Sequence, residues 1–179
     1  MVVDATDCPL RLPGDKNTKL DFCCIRTKDN GKSQVCWKYT VCVQIGNGRI
    51  CAVWGPDKGK EADITCLRKY LPLVDLKDGE CLLADKGYQG HEKCLTAFKN
   101  LASLRPTFEE EAFNEVLDSV RQIVECTFKR VKDFGILGSA GSFAYEKEKH
   151  SAVFNVCCQL TNIKLERDPL WNECNKLLF

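Results

Sequence analysis

Leu82-Leu83-Ala84-Asp85-Lys86-Gly87-Tyr88-Gln89-Gly90 is the stretch on which the fold turns. A short apolar run from Cys81 to Ala84 ends in a carboxylate and breaks at Gly87. A run of that length bounded by turn formers reads as a buried strand. Strands of this kind open to solvent at their C-terminal ends, and Asp85 stands at that end. Gly87 permits a turn, and Lys86 and Tyr88 flank it with a cation and an aromatic ring. On its own the aspartate reads more readily as a cap of a turn or of the next helix.

Working outward, 179 residues make one domain with room for a proper core. The hydrophobic fraction of 44% and charged fraction of 28% belong to a globular chain. No run reaches the length of a membrane span, and no basic-then-apolar segment opens the chain, so an intracellular protein is expected. The net charge of +1 is low for a domain that binds nucleic acid tightly by itself. Thirteen cysteines are scattered without a CxxC pair, and there are two histidines, His91 and His150. That pattern excludes a zinc site of ordinary spacing and predicts reduced, mostly buried thiols. Both histidines read as surface or packing residues.

Val2-Val3-Asp4 repeats the design of the Asp85 stretch, an apolar run ending in a carboxylate. A chain that opens inside a core strand is expected to be truncated or cut from a longer one. A strand is predicted over Leu20–Ile25. Val41, Val43 and Ile45 alternate before Gly46-Asn47-Gly48, and Ile50 to Trp54 returns, which predicts a hairpin ended by Gly55-Pro56. A short helix is predicted over Glu61–Tyr70, closed by Pro72, with Asp63 as its cap. A weak helix follows around Cys94–Phe98, then a short run over Leu101–Leu104.

Thr107-Phe108-Glu109-Glu110 forms a capping box, which starts the best helix of the chain, running to about Phe134. Phe113, Val116, Leu117, Val120, Ile123, Val124, Phe128, Val131 and Phe134 form its apolar face. Gly135 and Gly138 close it. A last helix is predicted from Lys147 to about Ile163, with Val153, Phe154, Val156, Cys157 and Leu160 inward. One domain, 1–165, and a C-terminal tail, 166–179, follow from this reading.

Asp118, Arg121, Glu125 and Lys132 form a stripe opposing the apolar face of the long helix, with Glu125 at its edge beside Val124 and Phe128. Two strand-end aspartates and a helix-edge glutamate suggest a magnesium site, since Mg²⁺ takes oxygen ligands. Two such ions can clamp both sides of an in-line phosphoryl displacement.

These residues carry a resemblance. The chain resembles the catalytic domain of DDE-superfamily transposases and endonucleases, in the PIF/Harbinger-like group and its bacterial insertion-sequence relatives. Four blocks match in order: Val3-Asp4-Ala5-Thr6 with Cys8-Pro9; Lys38-Tyr39 leading to Gly48-Arg49-Ile50, Gly55-Pro56, Gly59 and Asp63; Ala84-Asp85-Lys86-Gly87-Tyr88; and Phe113-Asn114 with Arg121, Val124-Glu125 and Lys132. Lys149-His150, Phe154 and Asn162-Ile163 are similar to the family's closing helix.

The resemblance implies an α/β, RNase H-like fold: a mixed five-stranded sheet flanked by helices. It implies Asp4, Asp85 and Glu125 as catalytic, metal-binding residues for two divalent ions, Mg²⁺ or Mn²⁺. The implied reaction is hydrolytic cleavage of DNA, with strand transfer as an extension. DNA is the implied partner and, in a eukaryote, the nucleus the implied location. Asp63, Lys86, Tyr88, Arg121 and Lys132 are candidates for supporting those carboxylates or touching DNA phosphates, and Asp7 for facing the same site. Family members carry an N-terminal helix-turn-helix region. Recognition is therefore expected from such a region or a separate DNA-binding protein, and a homo-oligomer fits the same scheme. A different class of reading stands beside it: a non-catalytic, domesticated or truncated remnant that acts as a binding protein. A third is an RNase H-like nuclease acting on RNA or hybrids.

Overall fold

The computed structural model describes residues 1–10, 35–98, 106–138 and 146–170. The expected strand at Leu20–Ile25 and the run at Leu101–Leu104 lie outside these. Five strands, β1 (Val2–Pro9), β2 (Cys36–Val43), β3 (Ile50–Lys58), β4 (Leu82–Ala84) and β5 (Cys94–Leu95), form one sheet in the order β3-β2-β1-β4-β5. The first three are antiparallel neighbours, and β1–β4 and β4–β5 are parallel. The helices are α1 (Asp63–Tyr70), α2 (Phe108–Lys132), the single turn α3 (Gly135–Gly138) and α4 (Lys147–Arg167). A mixed five-stranded sheet flanked by helices is the architecture expected of an RNase H-like fold.

Strand alternation divides the core into two layers. Val2 and Cys8 of β1 and Trp37, Tyr39, Val41 and Val43 of β2 face α2 and α4, packing on Val120, Val124, Phe128, Phe154 and Cys157. Val3, Cys42, Leu82 and Ala84 face the other way, onto Leu67 of α1 and Tyr88. Because β2 is covered on both faces, every one of its residues is buried, Lys38 and Thr40 included.

Several expectations are corrected. The hairpin's second strand runs through Gly55-Pro56 to Lys58. It is an edge strand, where the missing N–H of a proline is tolerated. Gly55 has φ +119, and a Cβ there would stand 2.8 Å from the Lys38 carbonyl oxygen, so only glycine fits. Cys94–Leu95 forms a strand, not a helix: Leu82 N–H donates to the Lys93 carbonyl, and β4 supplies an open edge for pairing. In α2, Val116 is exposed.

Helix α4 runs four residues beyond the expected end, and its buried face is His150, Phe154, Cys157, Cys158, Thr161 and Leu165, while Val156 and Leu160 are exposed. Two polar residues enter that face because each finds a partner. Thr161 Oγ1 donates to the Cys157 carbonyl, 2.8 Å, and His150 Nδ1 meets the Tyr39 hydroxyl at 2.7 Å. Past α4, Asp168 pairs with buried Arg130, 3.2 Å, and Leu170 is buried against Leu165. Nine described cysteines are free, as expected, but Cys36 is disulfide-bonded, with its partner outside the described residues.

Candidate active site

The pairing of β1 with β4 sets Val2 beside Leu83 and Val3 beside Ala84. The next positions in that register are Asp4 and Asp85, on neighbouring parallel strands about 4.8 Å apart. Alternation gives both the parity of Val2 and Leu83, which pack in the layer under α2. From above, α2 brings Arg121. Its Nη2 lies 3.4 Å from Asp85 Oδ2 and 3.8 Å from Glu125 Oε1, while Nη1 is 3.8 Å from Asp118 Oδ1. Asp85 and Glu125, remote in sequence, thus share one guanidinium nitrogen. The stripe does not oppose the buried face of α2: Arg121 is half-buried and flanks it, looking onto the end of β4.

Both aspartates are braced by the same local device. Asp4 Oδ1 accepts from the N–H of Ala5, 2.8 Å, and Asp85 Oδ1 accepts from the N–H of Lys86. In Asp85 that leaves Oδ2 turned toward Arg121. A cavity of about 290 Å³ opens beside it, lined in part by Asp85, Lys86, Phe98, Asn114, Asp118 and Arg121. Phe98 packs edge-on against Phe113, with ring centroids 5.4 Å apart. The Asn114 amide holds both backbone groups of Phe98, accepting from its N–H at 2.9 Å and donating to its carbonyl at 3.3 Å. The aromatic-Asn pair at 113–114 was the sequence signal for this wall, but its partner at Phe98 has no local signature.

The remaining candidates divide. Lys86 is exposed at the cavity rim, and Lys132 is half-buried at the end of α2, close enough for its charge to act on the Cys8 thiol. Tyr88 is fully buried, with its ring among Val3, Leu67, Leu82 and Ala84, so it supports the Asp85 loop from beneath and does not reach a phosphate. Burial, with Asp4 and Asp63 nearby, pushes its hydroxyl well above the usual range and keeps it protonated. Asp63 does not cap α1. It pairs with buried Lys38 Nζ at 2.8 Å, and Gly87 passes so close that a Cβ there would lie 3.3 Å from Asp63 Oδ2. Asp7 is opposite Lys38 in the β1–β2 register, on the α1 side, away from Asp4. Lys38, quoted above only as part of a matching block, is the buried partner of Asp63. Its signal is a lysine in an otherwise buried strand, at the parity opposite to Trp37 and Tyr39.

A second acidic group lies on that side. Single ligand atoms of Asp57, Glu61 and Cys66 come within 4.8 Å of one another. Lys69 already serves as their cation: its Nζ donates to Asp57 Oδ1 at 2.9 Å and to Glu61 Oε2, and the Tyr70 hydroxyl donates to Asp57 Oδ2 at 2.7 Å. Burial pushes the Cys66 thiol up to about 12, which leaves it a protonated, poor ligand. This group is a structural ion cluster.

Asp4, Asp85 and Glu125 offer only carboxylate oxygens, the donor set of a hard divalent ion, and a positive group, the Arg121 guanidinium, stands between two of them. No helix among the described residues is long and apolar enough to cross a membrane. No curated protein and no solved structure matches the chain. The family described as DDE superfamily endonuclease matches residues 3–162, from the strand that bears Asp4 to the Asn162 turn of α4. With that match spanning nearly the whole described sheet and both long helices, the chain belongs to the DDE superfamily endonucleases.

Proposed function

We propose that this chain is the catalytic domain of a transposase-derived endonuclease, similar in pattern to the PIF/Harbinger-like group, which cleaves DNA phosphodiesters with water. Endonucleases of its family use divalent metal ions. Asp4, Asp85 and Glu125 would hold two of them, Mg²⁺ or Mn²⁺. When bound, the ions supply charge stabilisation and a deprotonated water for in-line attack. The chain's own share is positioning. Two adjacent parallel strands present Asp4 and Asp85 on one face, each fixed by its following N–H, and α2 brings Glu125 to the guanidinium that Asp85 also faces. Lys86 at the cavity rim and Lys132 at the end of α2 are suited to phosphate contacts, which orient DNA without reading its sequence. With net charge +1, recognition of specific ends falls to a helix-turn-helix region or a separate DNA-binding protein, and strand transfer needs a homo-oligomer or other assembly that holds two DNAs. In a eukaryotic cell this substrate places the protein in the nucleus.

The observation that carries this reading is the convergence of Asp85 and Glu125 on one cation, with Asp4 next in register on the same face. Nicking of supercoiled plasmid with and without Mn²⁺, for the wild type and Asp85→Asn, tests it. Metal-dependent nicking lost in the variant is expected. Equal activity in both, or none in the wild type at any metal concentration, overturns it. A second reading, a non-catalytic remnant that binds partners, is favoured by the same guanidinium, since a site closed by its own arginine needs no ion. Absence of any Mn²⁺ binding is the outcome that reading expects.

A further inference from the structure

The contacts of Arg121 are unusual in being neither close nor complete. Charge-assisted guanidinium–carboxylate bonds are ordinarily about 2.7–2.9 Å and often paired. Here three carboxylates surround the group at 3.4, 3.8 and 3.8 Å, and none takes it in a close fork. Its Nε is buried and has no hydrogen-bond partner. The guanidinium therefore balances charge among Asp85, Asp118 and Glu125 without forming its best bonds. Arg121 also lines the open cavity beside Asp85, which gives the side chain space to leave without movement of α2.

We propose that Arg121 is the internal counter-cation of the metal site. It stands between Asp85 and Glu125 while they hold no ion, competes with a divalent ion for their oxygens, and turns into the cavity when displaced. The inference rests on the reading of Asp85 and Glu125 as metal ligands. It makes Arg121 a positioning residue whose removal strengthens metal binding, the reverse of what loss of a merely structural ion pair does. The apparent affinity of an ion is reduced by the fraction of protein in which its site is blocked. A guanidinium in place nine-tenths of the time therefore weakens binding about tenfold.

The test is titration of the full chain with Mn²⁺, with the free ion followed by electron paramagnetic resonance. The proteins are the wild type, Arg121→Ala, Arg121→Gln, Lys86→Ala and Asp85→Asn. Arg121→Gln retains much of the side chain's bulk should the alanine variant fail to fold. Both Arg121 variants are expected to bind Mn²⁺ about tenfold more tightly than the wild type. Both should also melt lower without metal and recover with it, because the carboxylates then repel one another. Lys86→Ala removes an exposed charge at the cavity rim and should change the affinity much less than either Arg121 variant, as expected of a solvent-screened cation.

Unchanged or weaker binding by Arg121→Gln, with Asp85→Asn abolishing binding, overturns the role of Arg121 and leaves the metal site standing. An equal gain in Lys86→Ala also overturns it, since bulk charge then accounts for the effect. Saturable binding in Arg121→Gln alone supports it in the strongest form. Absence of binding in every protein removes the metal reading and this inference together.

Discussion

Two asparagines do the same work at opposite ends of the sheet. Asn162 on α4 accepts from the N–H of Ile50 at 2.8 Å and donates to its carbonyl at 2.9 Å, as Asn114 does for Phe98. One side-chain amide supplies the donor and acceptor that a further strand would have given, and Ile50 opens an edge strand where those groups lack such a partner. Asn162→Ala should therefore cost roughly 1–3 kcal/mol in urea unfolding. Asn155→Ala, whose exposed amide bonds only to Ser151, should stay within about 0.5 kcal/mol of the wild type. Equal losses would dismiss the edge argument. His150 offers a second residue-scale test. Burial lowers it from 6.5 to about 4, so the folded ring stays neutral, and its Nδ1 shares a hydrogen bond with the Tyr39 hydroxyl, which burial keeps protonated. The unfolded chain takes up this proton first as pH falls. The stabilisation is thus complete above about pH 6.5 and is lost as pH falls toward 4, worth roughly 3 kcal/mol in all. Unfolding free energies at pH 7, 6 and 5 should fall more steeply for the wild type than for His150→Gln, and matching slopes would remove His150 as the cause.

At the scale of elements, the ribbon of β2 and β3 depends on Gly55, where the chain passes the Lys38 carbonyl at positive φ. Gly55→Ala forces both a backbone conformation and a contact that a Cβ cannot accept. A loss of at least about 2 kcal/mol in chemical denaturation is expected, and a neutral result would show that the edge strand rearranges freely. This is also where legibility from sequence ends. Alternation disclosed the hairpin and the capping box disclosed α2, because each signal is local. The continuation of β3 past Pro56 and the pairing of β5 depend on which strand lies at an edge, a fact of topology that no window of sequence contains. The inward face of α4 differs from expectation for a related reason. Apolar pattern alone points to Val156 and Leu160, whereas His150 and Thr161 are admitted by partners at Tyr39 and Cys157. In the candidate site, the aspartates were legible as carboxylates that end apolar runs. Arg121 is legible as a neighbour of Glu125 and, through the family resemblance, as a supporting residue, but its approach to Asp85 needs α2 laid over β4.

For the whole molecule, charge decides what the isolated domain does with DNA. Lys and Arg number 26 against 25 Asp and Glu, so no general positive field draws a duplex in. Around the cleft, Arg121 faces three carboxylates, and Lys86 at the cavity rim is the cation proposed above to meet a phosphate. Binding should therefore be weak and indifferent to sequence, and it should fall steeply with salt because what affinity exists comes from released counterions. Fluorescence anisotropy with unrelated duplexes from about 50 to 200 mM salt measures this. Lys86→Ala should lower affinity by a similar factor for every duplex and flatten the slope of log affinity against log salt by about one, the signature of a single lost phosphate contact. An unchanged slope would mean that Lys86 does not touch the backbone. Nanomolar, sequence-selective binding would mean that a recognition surface exists in this domain outside the cleft, and that end recognition does not depend on another region or another protein.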